Sequence, residues 1–421
     1  MEEEYKVFGY RWVNLLVYTV VTFVAGMGYL AMAPVLQIMA DRWSVGFGAA
    51  SLLMSVIGLF QVLLSIPSGW ASGKVGFKPP VAIGASLLAL GFLLRGTAPS
   101  YGLFVLYTVI AGVGWGLIWA PVGNLAATWF PGREIGLANS LWTVGFLAGQ
   151  AFGSLTSIPF MMNLGWGPMW LVYGVLTAVV AVAAWFLLRP RPPVPPEPRP
   201  PVAPASIGQG IRQTMNRTNL ALQYTVFASV GSLAVAPAVV PPVLIAKGVA
   251  PPLAGVVAGL ALVGGMLGSL LVPAFAFGRR KAQRTRPMGR VRLTMLICAI
   301  VAPLAFIAIF YAPVAGGGVG LAITLSLIFG FAMAPVLAMS MGVGQMQPGV
   351  HPGNAGILAG VFLTSIGVGA AVFPAAVGAM VEEAGVLAGA WLLAILVAVS
   401  ILVLAIFVPE PEVPAGPPHG P

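Results

Sequence analysis

Long apolar runs, broken at intervals by short clusters of polar residues, glycine and proline, follow one another along most of this chain. From Leu293 to Val381 there are 89 consecutive residues without Asp, Glu, Lys or Arg. A single helix of that length would extend about 130 Å at about 1.5 Å per residue, roughly four times the hydrocarbon thickness of a bilayer. The run must therefore fold back on itself, and Gly316-Gly317-Gly318 and Gln347-Pro348-Gly349 mark where. The ten-residue alternation of a membrane β-barrel is not the pattern here. Cutting at the polar and Gly/Pro punctuation predicts twelve spanning helices. The first six are Trp12–Gln37, Phe47–Ser68, Pro80–Leu94, Gly102–Ala127, Gly136–Ser157 and Pro168–Leu188. The second six are Asn219–Pro242, Leu253–Phe277, Val291–Tyr311, Val319–Gly342, Asn354–Met380 and Val386–Phe407.

Composition agrees with the pattern. Of 421 residues 59% are hydrophobic and 7% charged, with a mean hydropathy of +0.98; a soluble domain carries about 25% charged residues. A soluble enzyme and a disordered chain are both excluded. Glu2, Glu3 and Glu4 ahead of a long first run argue against a cleaved signal peptide. With the N-terminus placed in the cytoplasm and the spans alternating, 17 Lys and Arg fall inside and only Arg42, Arg95 and Lys247 outside. That bias predicts cytoplasmic termini for a multi-pass protein of the cell membrane. The net charge of +10 raises nucleic acid as a partner, but seven basic residues sit in the short loop Gly278–Arg292 between two spans. There they set topology and meet anionic lipid headgroups, and no nucleic-acid binding is expected.

Arg189–Ser206 holds nine prolines in 18 residues and reads as an extended linker. It divides the chain into a six-helix bundle over 1–188, a cytoplasmic linker over 189–217, a second six-helix bundle over 218–409 and a tail over 410–421. The halves echo one another. Tyr29-Leu30-Ala31-Met32-Ala33-Pro34 reads against Ser232-Leu233-Ala234-Val235-Ala236-Pro237, and Asn14-Leu15 against Asn219-Leu220. A finer repeat places Ala-Pro in the last third of spans 1, 4, 7 and 10, at Pro34, Pro121, Pro237 and Pro335. A helical proline removes one backbone bond and frees the carbonyl four residues earlier, here of Leu30, Leu117, Leu233 and Phe331. Four such positions in register predict hinged helices around a central cavity.

At this level the chain resembles the major facilitator superfamily of transporters. Gly69-Trp70-Ala71-Ser72-Gly73-Lys74-Val75-Gly76-Phe77-Lys78 is similar to that family's loop between spans 2 and 3, with Gly73 where the family has an acid. Trp129-Phe130-Pro131-Gly132-Arg133-Glu134 is similar to the loop entering span 5, and Gly165-Trp166-Gly167-Pro168-Met169-Trp170 to the entry of span 6. The resemblance implies an all-α membrane fold of twelve transmembrane helices in two pseudo-symmetric six-helix bundles, working by alternating access. A weaker resemblance, to oxalate:formate and monocarboxylate carriers, rests on Tyr29, Trp119 and Phe146. That group holds its anions with a lysine in span 11 and an arginine in span 8, where this chain has Phe362 and Leu271.

Other chemistry is sparse. Cys298 stands alone, His351 and His419 lack companions for a metal, and Gly69 to Lys74 is too short for a phosphate-binding loop. No nucleophile–base pair suggests an enzyme, and no cofactor is expected. All ten acids fall in loops, termini or last turns, and no Lys or Arg falls in mid-span. Intramembrane carboxylates are kept for function such as proton relay, so a buried carboxylate relay is not expected. The site is expected in spans 1, 4, 5, 7, 10 and 11. The rings Tyr29, Trp115, Trp119, Phe146, Phe331 and Phe362 supply surfaces, and Asn124, Thr143, Gln150, Gln223 and Tyr224 supply polar handles. Gly112/Gly116, Gly145/Gly149 and Gly264/Gly268 read as close-packing faces. The expected function is facilitative transport or exchange of a small, neutral, weakly polar or lipophilic organic solute by a monomer. A small-monocarboxylate carrier and a non-transporting scaffold or sensor are the alternatives.

Overall fold

The computed structural model describes residues 9–45, 47–192, 206–277, 289–313 and 319–408. It is helical throughout those segments, the arrangement a chain takes when no water is at hand to satisfy its backbone. The first half comprises α1 (Tyr10–Leu30) with α2 (Leu36–Arg42), α3 (Phe47–Val75), α4 (Lys78–Arg95), α5 (Tyr101–Ile118) with α6 (Pro121–Trp129), α7 (Gly132–Leu164) and α8 (Trp166–Leu187). A short helix, α9 (Ile207–Thr214), lies in the last part of the linker segment 189–217. The second half comprises α10 (Arg217–Ala246), α11 (Pro251–Phe277), α12 (Gly289–Tyr311), α13 (Val319–Gln345), α14 (Ala355–Ala384) and α15 (Val386–Phe407). Each of the twelve expected spans coincides with one helix or one broken helix. Ten are long and apolar enough to cross a membrane among the described residues; α14 contributes the shorter apolar stretch Ala355–Gly369.

Helix ends follow local chemistry. Ser100, Ser206 and Asn216 accept the backbone N–H three residues on, capping α5, α9 and α10. Gly165 and Gly385 take φ of +93° and +85° between the fifth and sixth helices of their respective halves. A side chain at either place would strain the turn. The paired positions carry the internal duplication into the backbone.

The glycine spacings do what their pattern predicts. Gly145, Gly149 and Gly153 lie against the carbonyls of Thr19, Phe23 and Met27 on α1. Gly264 and Gly268 lie against Leu327 and Phe331 of α13, and Gly112 and Gly116 against Phe60 of α3. Backbone approaches this close are possible only without a Cβ, and dispersion replaces the missing hydrophobic drive between helices in lipid. Between the halves, α3 packs on α14 and α7 on α11.

Side-chain bonds show which helix ends share a face. Arg11 Nε meets Glu134 Oε2 at 3.1 Å, Tyr10 donates to Leu187 O at 2.7 Å and Thr218 to Phe407 O at 3.2 Å. This is the face carrying most of the described Lys and Arg, here termed the basic face. On the opposite face Tyr101 donates to Ala49 O at 2.5 Å, and the Lys247 ammonium donates to Phe310 O and Ala312 O. The loop 278–288, most of the proline-rich linker and both termini lie outside the described residues.

Candidate functional site

Two spans break where their prolines fall. The first span leaves α-geometry after Leu30 and passes through a 3-10 turn, Ala33–Val35, that contains Pro34. The fourth breaks between Ile118 and Pro121. Each break releases carbonyls, and the neighbouring helices supply donors. Tyr18 OH donates to Ile118 O at 2.7 Å and to Trp119 O at 3.0 Å, while Ser68 Oγ donates to Leu117 O at 2.6 Å. Leu117 O is the carbonyl that Pro121 frees. At the break in the first span, Arg95 Nη1 donates to Gly28 O at 3.4 Å.

The second half has no such break among the described residues. Helices α10 and α13 run unbroken through Pro237 and Pro335. At Pro335 the physical reason is visible: the freed carbonyl of Phe331 rests against Gly268 of α11. That close face packs the helix on both sides of the freed carbonyl.

The ring positions of the first half converge. Tyr29 and Trp115 have centroids 5.0 Å apart, Trp115 and Trp119 4.8 Å, Trp119 and Phe146 4.9 Å, and Trp115 and Phe146 5.8 Å. Trp142 joins at 5.8 Å from Trp119. These centroids fall in the range of edge-to-face and tilted stacking. Trp115 and Trp119 are buried, whereas Tyr29, Phe146 and Gln150 are half-buried. A residue that pattern reading passed over, Gln61 of α3, ties this group to the second half. It accepts from Trp115 Nε1 at 2.8 Å and donates to Leu363 O of α14 at 3.2 Å. Gln150 makes no side-chain hydrogen bond among the described residues, and the buried Trp119 Nε1 has no acceptor.

The remaining candidates lie elsewhere. Asn124 donates to Pro352 O at 2.8 Å, a bond between the halves at the basic face. Thr143 bonds back to Asn139 O within its own helix. Gln223 and Tyr224 line a shallow, open cleft of about 320 Å³ between α10 and α14, with Thr364 and Ser365. Phe362 is fully buried against Gly344. Phe331 is 36% exposed, away from the ring group, and Leu271, aligned with a cation-bearing position, is 54% exposed. Neither of these two residues joins the cluster, because the packing faces of α11 and α13 turn their side chains outward.

Arg95, expected in a loop, is instead 0% exposed. Its position at the end of an apolar run gave no sign of this. Its surroundings do, being assembled from α1, α4, α5 and α8.

A twelve-span helical fold in two related halves, with a ring cluster in the first tied through Gln61 to the second, is the architecture of a membrane carrier. The family model described as Major Facilitator Superfamily matches residues 18–362, and the chain belongs to that family. Solute carrier family 49 member A3 of Danio rerio is 25% identical over 386 residues, covering 88% of this chain and 78% of the relative. The cyanate transport protein CynX of Escherichia coli is 24% identical over 336 residues, covering 78% and 85%. Among solved structures, the transporter FucP in the outward conformation superposes with a TM-score of 0.72 at 16% identity, covering 94% of this chain and 99% of that one. The protein is thus a multi-pass membrane protein of a transporter family, with a small-molecule substrate.

Proposed function

We propose that this protein moves a small, neutral or weakly polar organic solute across the cell membrane by alternating access, as a facilitator or exchanger. In this reading the halves 1–188 and 218–409 rock as bodies, joined by 189–217, with both termini and the basic face in the cytoplasm. The protein works as a monomer. The observation that carries the reading is the Tyr29–Trp115–Trp119–Phe146 group, joined through Gln61 to α14. Its rings offer flat apolar surface, and no cation lies over any of the four among the described residues. A dicarboxylate brought there would lose hydration worth several kcal/mol with no counter-ion to replace it.

The three side-chain hydrogen bonds that cross between the halves among the described residues are Gln61–Leu363, Asn124–Pro352 and Asn139–Gln345. The last two lie at the basic face, which supports a state closed there and open opposite. A second reading has one specific support. Trp119 Nε1 is a buried neutral donor without an acceptor among the described residues, able with the half-buried Gln150 amide to hold a small monovalent anion of the kind named for the cyanate relative.

Uptake into liposomes containing the purified protein, run against empty liposomes with neutral, anionic and cationic solutes, tests both. Saturable uptake of a neutral solute, lost in Trp115→Ala, is the expected result. Uptake confined to anions would replace the first reading by the second, and no uptake of any solute would leave the scaffold alternative standing.

A further inference from the structure

A second cluster, at the opposite face of the first half, gathers buried hydrogen-bond donors that lack acceptors. Arg95 ends α4 and is 0% exposed. Its Nε donates to Thr108 Oγ1 at 3.3 Å and its Nη1 to Gly28 O at 3.4 Å, both long bonds for a guanidinium, and its Nη2 has no acceptor. The guanidinium lies 4.9 Å from the Trp170 ring centroid, 5.0 Å from Phe92 and 5.6 Å from Phe104. Trp166 and Trp170, with ring centroids 6.0 Å apart, both keep their indole Nε1 buried without an acceptor. Trp166 opens α8, so the positive end of that helix faces the same region. Arg42 adds a second cation, 5.6 Å over the Trp166 ring.

No carboxylate among the described residues balances this charge. Arg95 forms no ion pair with any described residue, and Asp41 on α2 is exposed with an interaction of its own. A buried cation without a counter-charge is strongly unfavourable in a low-dielectric interior. Water could take up the spare N–H groups, but it would leave the charge unneutralised. The Phe92, Phe104 and Trp170 rings under the guanidinium offset part of its charge, but they leave Nη2 and both indole N–H groups without an acceptor.

We infer that the Arg95–Trp166–Trp170 cluster is a binding site for one small monovalent anion, a halide or a carboxylate of formate size. Three buried donors, one of them charged, give it an acceptor-only ligand. The enclosure by Phe92, Phe104 and both indoles restricts that ligand to a compact one. The site is separate from the Tyr29–Trp115–Trp119–Phe146 group. Because Arg95 also grips Gly28 O beside the break in the first span, the bound anion steadies that break.

The test is thermal unfolding of the full chain in lipid nanodiscs, in sodium chloride, bromide, formate or gluconate at one fixed ionic strength. The expected result is a saturable rise of the midpoint in chloride and bromide over gluconate. Formate acting in their place would identify the source as a carboxylate, within the same proposal. Trp166→Phe and Trp170→Phe keep the rings and remove one donor each; each should weaken the apparent anion affinity about tenfold, the worth of one charge-assisted hydrogen bond. Arg95→Gln should abolish the anion dependence. If Arg95→Gln does not fold, the two tryptophan variants decide. Equal midpoints in all four salts, a rise that never saturates, or an unchanged affinity in both tryptophan variants would overturn the site.

Discussion

Tyr18 is the residue on which the break in the fourth span depends most. Its hydroxyl serves two carbonyls of α5 and its junction, Ile118 O and Trp119 O, a hundred residues away in sequence. In hydrocarbon those carbonyls have no water to turn to, and leaving a buried acceptor unserved costs about 1–3 kcal/mol. Tyr18→Phe keeps the ring and removes only the donor. We expect it to lower stability in detergent by about that amount, whereas Ser140→Ala, which gives up only a bond to Gly136 O in its own helix, should cost well under 1 kcal/mol. Chemical unfolding of the two variants side by side is the check, and equal losses would remove Tyr18 from its role. The same residue shows where sequence reading stops. Of the rings, Tyr29, Trp119 and Phe146 were legible from the resemblance to a carrier group, and Trp115 because it stands one helical turn from Trp119. Tyr18, Ser68 and Gln61 were not, because their importance lies in carbonyls that only tertiary packing brings to them. Arg95 was hidden for a related reason, since a basic residue after an apolar run looks like a loop residue until four helices close around it.

At the scale of the helix, glycine and proline were read from one pattern but behave differently. The small-residue spacings translate directly into packing, because a face without Cβ atoms can be used in only one way. Gly149 lies on the Phe23 carbonyl, while a Cβ at Gly58 would meet nothing within 4 Å. Gly149→Ala must therefore push α1 and α7 apart, at a cost of about 1–3 kcal/mol, and Gly58→Ala should be neutral or slightly stabilising. Melting temperatures of the two variants distinguish the cases; a drop in Gly58→Ala equal to that in Gly149→Ala would show that helix propensity, not packing, sets the result. The Ala-Pro repeat is less direct. A proline only removes a bond, and what the helix then does depends on its neighbours. Donors from α1 and α3 hold the fourth span broken, whereas α13 packs its freed carbonyl on Gly268. Pro121→Ala restores a backbone N–H at a broken site and should change the reactivity of a cysteine introduced at position 115. Pro335→Ala should leave the same probe within about twofold, since its helix is already continuous. Like effects from both would mean that Pro121 and Pro335 hinge alike, whatever their neighbours.

At the scale of the whole molecule, the contacts between the halves at the basic face carry no charge among the described residues. Gly69 and Gly356 abut, as do Gly73 and Gly353, and Gly123 meets Ala355 and Ala359. Asn139 donates to Gln345 Oε1 at 3.1 Å and Asn124 to Pro352 O at 2.8 Å. The ion pair at that face, Arg11–Glu134, joins two helices of the same half and spans no junction. Where a charged latch would weaken with salt, a latch of glycine faces and neutral amides should not, because screening acts on charges alone. Bulk at the latch should open it. Gly356→Val would drive side-chain atoms into Gly69 O and Ser72 Oγ, destabilising only the state in which α3 and α14 are closed at this end. A shift of about 1.4 kcal/mol changes the ratio of the two states tenfold. The probe is a cysteine at position 150, beside the ring group, in a protein whose own Cys298 is buried. With impermeant reagent added from either side, Gln150→Cys alone should label from the face opposite the basic one. Added Gly356→Val should raise labelling from the basic face by about tenfold, and raising salt from about 0.05 M to about 0.5 M should move neither ratio by more than about twofold. A salt-dependent ratio in the parent, or a Gly356→Val protein that labels as the parent does, would show that the closure lies in some contact other than this uncharged seam.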